Sequence, residues 1–63
     1  MSMTRRLIYE NKDGVKVRAF FKDGERDVLY SWEEGVASSE SKEYWSQFVR
    51  LQGLKLISSE VIS

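Results

Sequence analysis

Glu10-Asn11-Lys12-Asp13-Gly14-Val15-Lys16-Val17-Arg18-Ala19-Phe20-Phe21-Lys22-Asp23-Gly24 decides the fold of this chain. It holds a seven-residue run, 15–21, in which Val15, Val17, Ala19 and Phe21 alternate with longer or charged neighbours. Strict alternation is the mark of a strand with one buried face. A Lys-Asp-Gly triplet stands at each end of the run. Asp-Gly between alternating apolar segments signals a hairpin, because glycine adopts positive φ without a Cβ clash. Two such turns predict a three-stranded antiparallel meander.

Outward from that run, residues 5–10 read as the first strand and residues 27–32 as the third. Register follows from the side-chain pattern. A three-residue loop, Lys12–Gly14, pairs Asn11 with Val15 and sets Glu10 opposite Lys16, an attractive cross-strand pair. A two-residue loop would turn Leu7 and Tyr9 toward Lys16 and Arg18, since one residue of slip exchanges the faces. For the second hairpin, a four-residue loop, Lys22–Glu25, pairs Phe21 with Arg26 and Ala19 with Val28. One face then holds Leu7, Tyr9, Val15, Val17, Ala19, Phe21, Val28, Tyr30 and Trp32, which we read as the core. The other holds Arg6, Ile8, Glu10, Lys16, Arg18, Phe20, Asp27, Leu29 and Ser31.

Beyond a connection over residues 33–38, a helix is expected from about residue 39 to 52. Ser38 or Ser39 suits its N-cap, Glu40 and Glu43 its first turn, and Gly53 its stop, with Leu54 folding back on Val49. Tyr44, Phe48 and Leu51 form one apolar row; Trp45, Val49 and Gln52 form the next. A single helix can bury the first row and part of the second, leaving Trp45 or Val49 for a partner. Residues 54–62 read as a fourth strand, pairing with the first or with another subunit. The expected fold is one α+β domain over residues 1–63, ordered β-β-β-α-β, with the helix on the core face and residues 1–4 as a flexible lead-in.

Composition narrows the function classes. A chain of 63 residues has room for one small core, so its stability is marginal. It has no cysteine and no histidine, which removes disulfides, thiolate metal sites and the commonest acid–base and nucleophilic machinery. Serines 38, 39, 41, 58 and 59 lack a base with the means to activate them. Glu33 and Glu34 are adjacent and do not converge on one substrate. No catalytic, cofactor-binding or metal-binding residues are assigned, and an enzyme is not expected. Ten basic and ten acidic residues balance to zero, so no field of one sign draws the chain to a polyanion. The first 31 residues carry seven basic and five acidic groups (+2) and the remainder three and five (−2). No apolar run reaches the roughly 20 residues of a membrane span. No signal peptide is read, because Thr4-Arg5-Arg6 leads straight into a strand. Lack of cysteine fits the cytoplasm.

What remains is binding. The even-numbered face sets Phe20, Ile8 and Leu29 among Arg6, Arg18 and Lys16, and Trp45 is a further candidate on the helix. Arginine and aromatic residues are enriched in protein interfaces, and an aromatic on an exposed sheet can also stack an unpaired base. The bland alternatives are that the tail or a loop covers them, or that they are singly exposed apolar residues that need no explanation. Arg5-Arg6 is a second phosphate candidate, with solvation as its ordinary explanation. At the level of the fold alone, a three-stranded meander followed by a helix resembles the small arm-type DNA-binding domains of phage integrases. The resemblance implies DNA binding; balanced charge argues against it. The leading expectation is a small protein-binding module that covers or bridges a macromolecular partner, such as an inhibitor of phage or mobile-element type. The partner is another protein or a second copy of the chain. Nucleic acid on the outer face is the alternative.

Overall fold

The computed structural model describes residues 3–33 and 35–62. Strands β1 (Thr4–Glu10), β2 (Lys16–Lys22) and β3 (Asp27–Trp32) form the meander. They are followed by a short strand β4 (Ser38–Ser41), helix α1 (Lys42–Leu51) and β5 (Lys55–Val61). The sheet is antiparallel throughout, in the order β4-β3-β2-β1-β5. The helix thus carries the chain from one edge to the other. β1 starts one residue earlier than the expected strand over residues 5–10. Thr4 already pairs with Lys22, and the Met3 carbonyl accepts from the Asp23 amide. The rest of the expected lead-in, residues 1 and 2, lies outside the described residues, as does Glu34.

The first hairpin has the register read from the sequence. Glu10 pairs with Lys16, and the Asn11 amide donates to the Val15 carbonyl at 2.9 Å. The Asn11 side chain holds the turn by accepting from the amides of Asp13 and Val15, and Gly14 takes φ +82°. The second hairpin corrects the expected one by two residues: Ala19 pairs with Tyr30, not Val28, and Phe20 pairs with Leu29. The loop is Asp23–Arg26, closed by the Glu25 amide on the Lys22 carbonyl. Because the shift is even, every side chain keeps its face.

A further strand corrects the expected β-β-β-α-β order. Ser38–Ser41 pairs with β3, so the helix starts at Lys42 and not near residue 39. Ser41 is the N-cap in place of Ser38 or Ser39; its Oγ accepts from the Tyr44 amide at 3.1 Å. The run Ser38-Ser39-Glu40-Ser41 suits a helix start locally. Its hydroxyls compete with helical hydrogen bonding, however, and β3 offers its backbone a ladder. The C-terminus ends as expected: Leu54 donates to the Val49 carbonyl and Gly53 to that of Arg50.

The core is small. Val17, Ala19, Val28 and Trp45 are fully buried, ringed by Tyr9, Phe21, Tyr30, Trp32, Phe48, Val49 and Leu54. All the sheet residues in this group are on the face expected to be inside. Val15, placed on that face, sits beyond the start of β2 and is 36% exposed. The helix reverses the expected order of its rows: Trp45 is 2% exposed, whereas Tyr44 and Leu51 are 49% and 81% exposed. Trp45 is therefore a core residue and not a surface anchor. It reaches down between Tyr9, Tyr30 and Phe48, with ring centroids 4.9–5.7 Å away. Aromatic pairs at such spacings add to the area they bury. Among the described residues, no helix is long and apolar enough to cross a membrane.

Candidate functional site: the open face of the sheet

All of α1 lies on one side of the sheet, so the even-numbered residues of β1 and β2 face away from the core. Register aligns their side chains in rows, because residues directly opposite share a face. The central row crosses all five strands: Glu60, Arg6, Phe20, Leu29, Ser39. The next row toward the Asn11 turn is Ser58, Ile8, Arg18, Ser31. The row beyond it is Lys55, Glu10, Lys16, with Glu33 brought opposite Lys16 by its amide on the Lys16 carbonyl. On the other side run Ile62, Thr4, Lys22, with the Ile62 amide on the Thr4 carbonyl.

The structure thus brings together Arg6, Ile8, Lys16, Arg18, Phe20 and Leu29, and removes Trp45. Phe20 and Ile8 are half-buried and Leu29 is 47% exposed. Phe20, Leu29 and Ile62 line an open depression of about 450 Å³, with Thr4, Lys22, Glu25 and Asp27 around it. A second, of about 220 Å³, lies between Ile8, Lys16, Arg18 and Glu33. Neither the tail nor a loop closes over Phe20, so the covering alternative does not hold for the described residues.

Charges on this face alternate along its rows. Arg6 is ion-paired with Glu60, and Lys16 Nζ lies 3.8 Å from Glu10 Oε2. Lys55, Glu10, Lys16 and Glu33 follow one another with alternating sign. Arg18 has no opposite charge beside it in its row. Arg6 stands directly opposite Phe20, with its Nε buried without a hydrogen-bond partner. Odd residues of β1 exchange the hydrogen bonds with β2, as the Asn11 and Asp23 amides show. Arg6 and Phe20 are therefore a non-hydrogen-bonded pair, whose side chains approach most closely. Arg5 pairs with Phe21 on the helix side, so the two arginines point to opposite faces and do not converge on one phosphate.

Ile62, Thr4 and Lys22 belong to the site and were missed. The pairing of β5 shifts by one residue between Ile8 and Tyr9, with Ile57 as the extra residue. Without that bulge Val61 would lie opposite Thr4; with it Ile62 does. No sequence signal marks the bulge. Among the described residues, no group of three or more His, Cys, Asp or Glu could hold a metal ion. Compared with known protein families, with curated proteins and with solved structures, the chain matches none.

Proposed function

We propose that this protein is a non-catalytic binding module that lays the open face of its sheet on another protein. The supporting observation is the central row, in which half-buried Phe20 and exposed Leu29 stand between Arg6 and Ser39, while the basic groups around them are mostly neutralised in the plane of the sheet. Exposed apolar groups beside an aromatic and arginines suit a packed interface. A polyanion binder has to present uncompensated cations, since phosphate neutralisation supplies most of its affinity. Here Arg6 and Lys16 are paired with carboxylates, and Arg18 stands without an opposite charge in its row. An inhibitor that covers or bridges its partner needs nothing more than such a surface.

The test uses three baits on the same extract: the native protein, the Phe20→Ala/Arg18→Ala double variant, and Leu51→Ala on the far side of the molecule. The native bait and Leu51→Ala should retain the same protein partner, and the double variant should lose it. Retention should change little as salt rises, because a packed interface is screened weakly. A partner held equally by the double variant sinks the proposed face. Capture of nucleic acid that falls steeply with salt sinks the partner class.

A further inference from the structure

Charge is distributed unevenly along the open face, and the two ends differ in sign. Among the described residues, Arg6 and Lys16 have a carboxylate within ion-pair distance, and Arg18 has none. Arg18 is exposed, and its neighbours across the ladder are Ile8 and Ser31. At the other end, Lys22, Glu25 and Asp27 rim the depression beside Phe20, Leu29 and Ile62. Lys22 and Asp27 each stand two residues on from the Phe20–Leu29 pair, so they share the next row and leave the charge of Glu25 over.

This arrangement sorts the chemistry of an occupant. The depression, of about 450 Å³, has room for a large aliphatic or aromatic side chain, and Leu29 and Ile62 in its wall are 47% and 46% exposed. Covering them removes apolar surface from water. An anion belongs at the other end, where the Arg18 guanidinium can hold a carboxylate through two parallel N–H donors. The Ser31 hydroxyl, opposite Arg18 in the ladder, is a further donor. The reverse placement sets the anion against Glu25 and Asp27, and like charges across an interface repel. A single uncompensated cation matches a carboxylate; a phosphoryl group carries nearly two charges and calls for more than one cation. Successive rows stand about 7 Å apart along a strand, so the Arg18 row is about 10 Å from the middle of the depression.

We propose that the protein partner presents an acidic–apolar element to this face: a large apolar side chain that fills the depression at Phe20 and Leu29, and an Asp or Glu carboxylate about 10 Å away that Arg18 holds. The inference rests on the reading of the open face as a protein-binding surface and adds the chemistry of what that surface accepts. The apolar contact supplies most of the affinity. The ion pair at Arg18 fixes which way round the element lies.

The probe is a phage-displayed library of random peptides, panned in parallel on the native protein and on Arg18→Glu. Sequences enriched on the native protein should carry Asp or Glu within about four residues of Phe, Trp, Leu, Ile or Met. Those enriched on Arg18→Glu should carry Lys or Arg in place of the acid. A synthetic peptide from the native selection should bind Arg18→Gln about tenfold more weakly or worse. Its acid-to-lysine variant should regain binding on Arg18→Glu. A phosphoserine in place of the acid should bind no tighter; tighter binding overturns the carboxylate assignment. Selected peptides without an acid, unchanged binding to Arg18→Gln, or a library that yields no binder overturns the proposal. Where acid-free peptides are lost by Phe20→Ala and kept by Leu51→Ala, the face stands and only its assigned chemistry falls. Peptides kept by Phe20→Ala overturn the face itself. Should Arg18→Glu fail to fold by circular dichroism, Arg18→Gln decides.

Discussion

The indole of Trp45 lies 4.9 Å from the ring of Tyr30, tilted by 44°, and this contact joins the helix to the centre of the sheet. Trp45 is the one fully buried residue that the helix supplies. Its Nε1 is buried without a hydrogen-bond partner, so its worth is packing alone. Trp45→Ala should cost about 3–5 kcal/mol, most of the stability of a domain this small, and leave it largely unfolded. Trp45→Phe should cost far less, because it keeps an aromatic ring and relieves an unsatisfied N–H worth about 1–3 kcal/mol. Chemical denaturation of the two variants checks both outcomes. Equal losses would mean that the indole nitrogen has a partner, water included.

The helix cap gives a second comparison. Ser41→Ala should destabilise the protein by about 1 kcal/mol, the usual worth of an N-cap hydroxyl. Ser39→Ala, on the outer face of β4 opposite Leu29, should change stability by less than about 0.5 kcal/mol. The reverse order would return the helix start to the position suggested by local sequence.

Two glycines separate backbone strain from crowding. Gly53 has φ +63° and open space where a Cβ would stand. Gly53→Ala should therefore cost about 1–2 kcal/mol through the left-handed conformation alone. At Gly35, which is not at positive φ, an added Cβ would meet Trp32 Cβ at 3.5 Å, an ordinary contact. Gly35→Ala should be close to neutral. Thermal melts of the pair measure the difference.

In-plane neutralisation of the open face can be undone without touching its apolar residues. Glu10→Lys/Glu60→Lys removes both carboxylates that pair with Lys16 and Arg6. These ion pairs are exposed, so each should contribute no more than about 1 kcal/mol to stability. The variant should gain salt-sensitive binding to heparin or single-stranded nucleic acid that the native protein lacks. Equal retention of the two proteins would show that local pairing does not decide the partner class.

Much of the open face was readable beforehand because parity carries it. Asn11-Lys12-Asp13-Gly14 fixes the first turn, and the alternation of Val17, Ala19 and Phe21 then assigns Phe20 and Arg18 to the opposite side. Even the two-residue error in the second hairpin left Leu29 and Tyr30 on their expected faces. It did change the neighbours: Phe20 lies beside Leu29 and not Asp27, so the apolar centre of the face is larger than the pattern implied. Trp45 was misread for a different reason. The helical rows Tyr44–Phe48–Leu51 and Trp45–Val49 are both apolar, and periodicity cannot rank them.

What the chain determined by itself is local and periodic: two glycine-bearing turns, the faces of three strands, the Gly53 helix stop and the balance of charge. Each depends on neighbours a few residues apart, where sterics and side-chain parity act directly. The tertiary structure decided which helical row goes inward, that Ser38–Ser41 is a strand, and that a bulge at Ile57 turns Ile62 to the open face. Those outcomes depend on groups distant in sequence meeting across the sheet. There the backbone of β3, the ring of Tyr30 and the carbonyl of Thr4 supply the partner that local preference does not name.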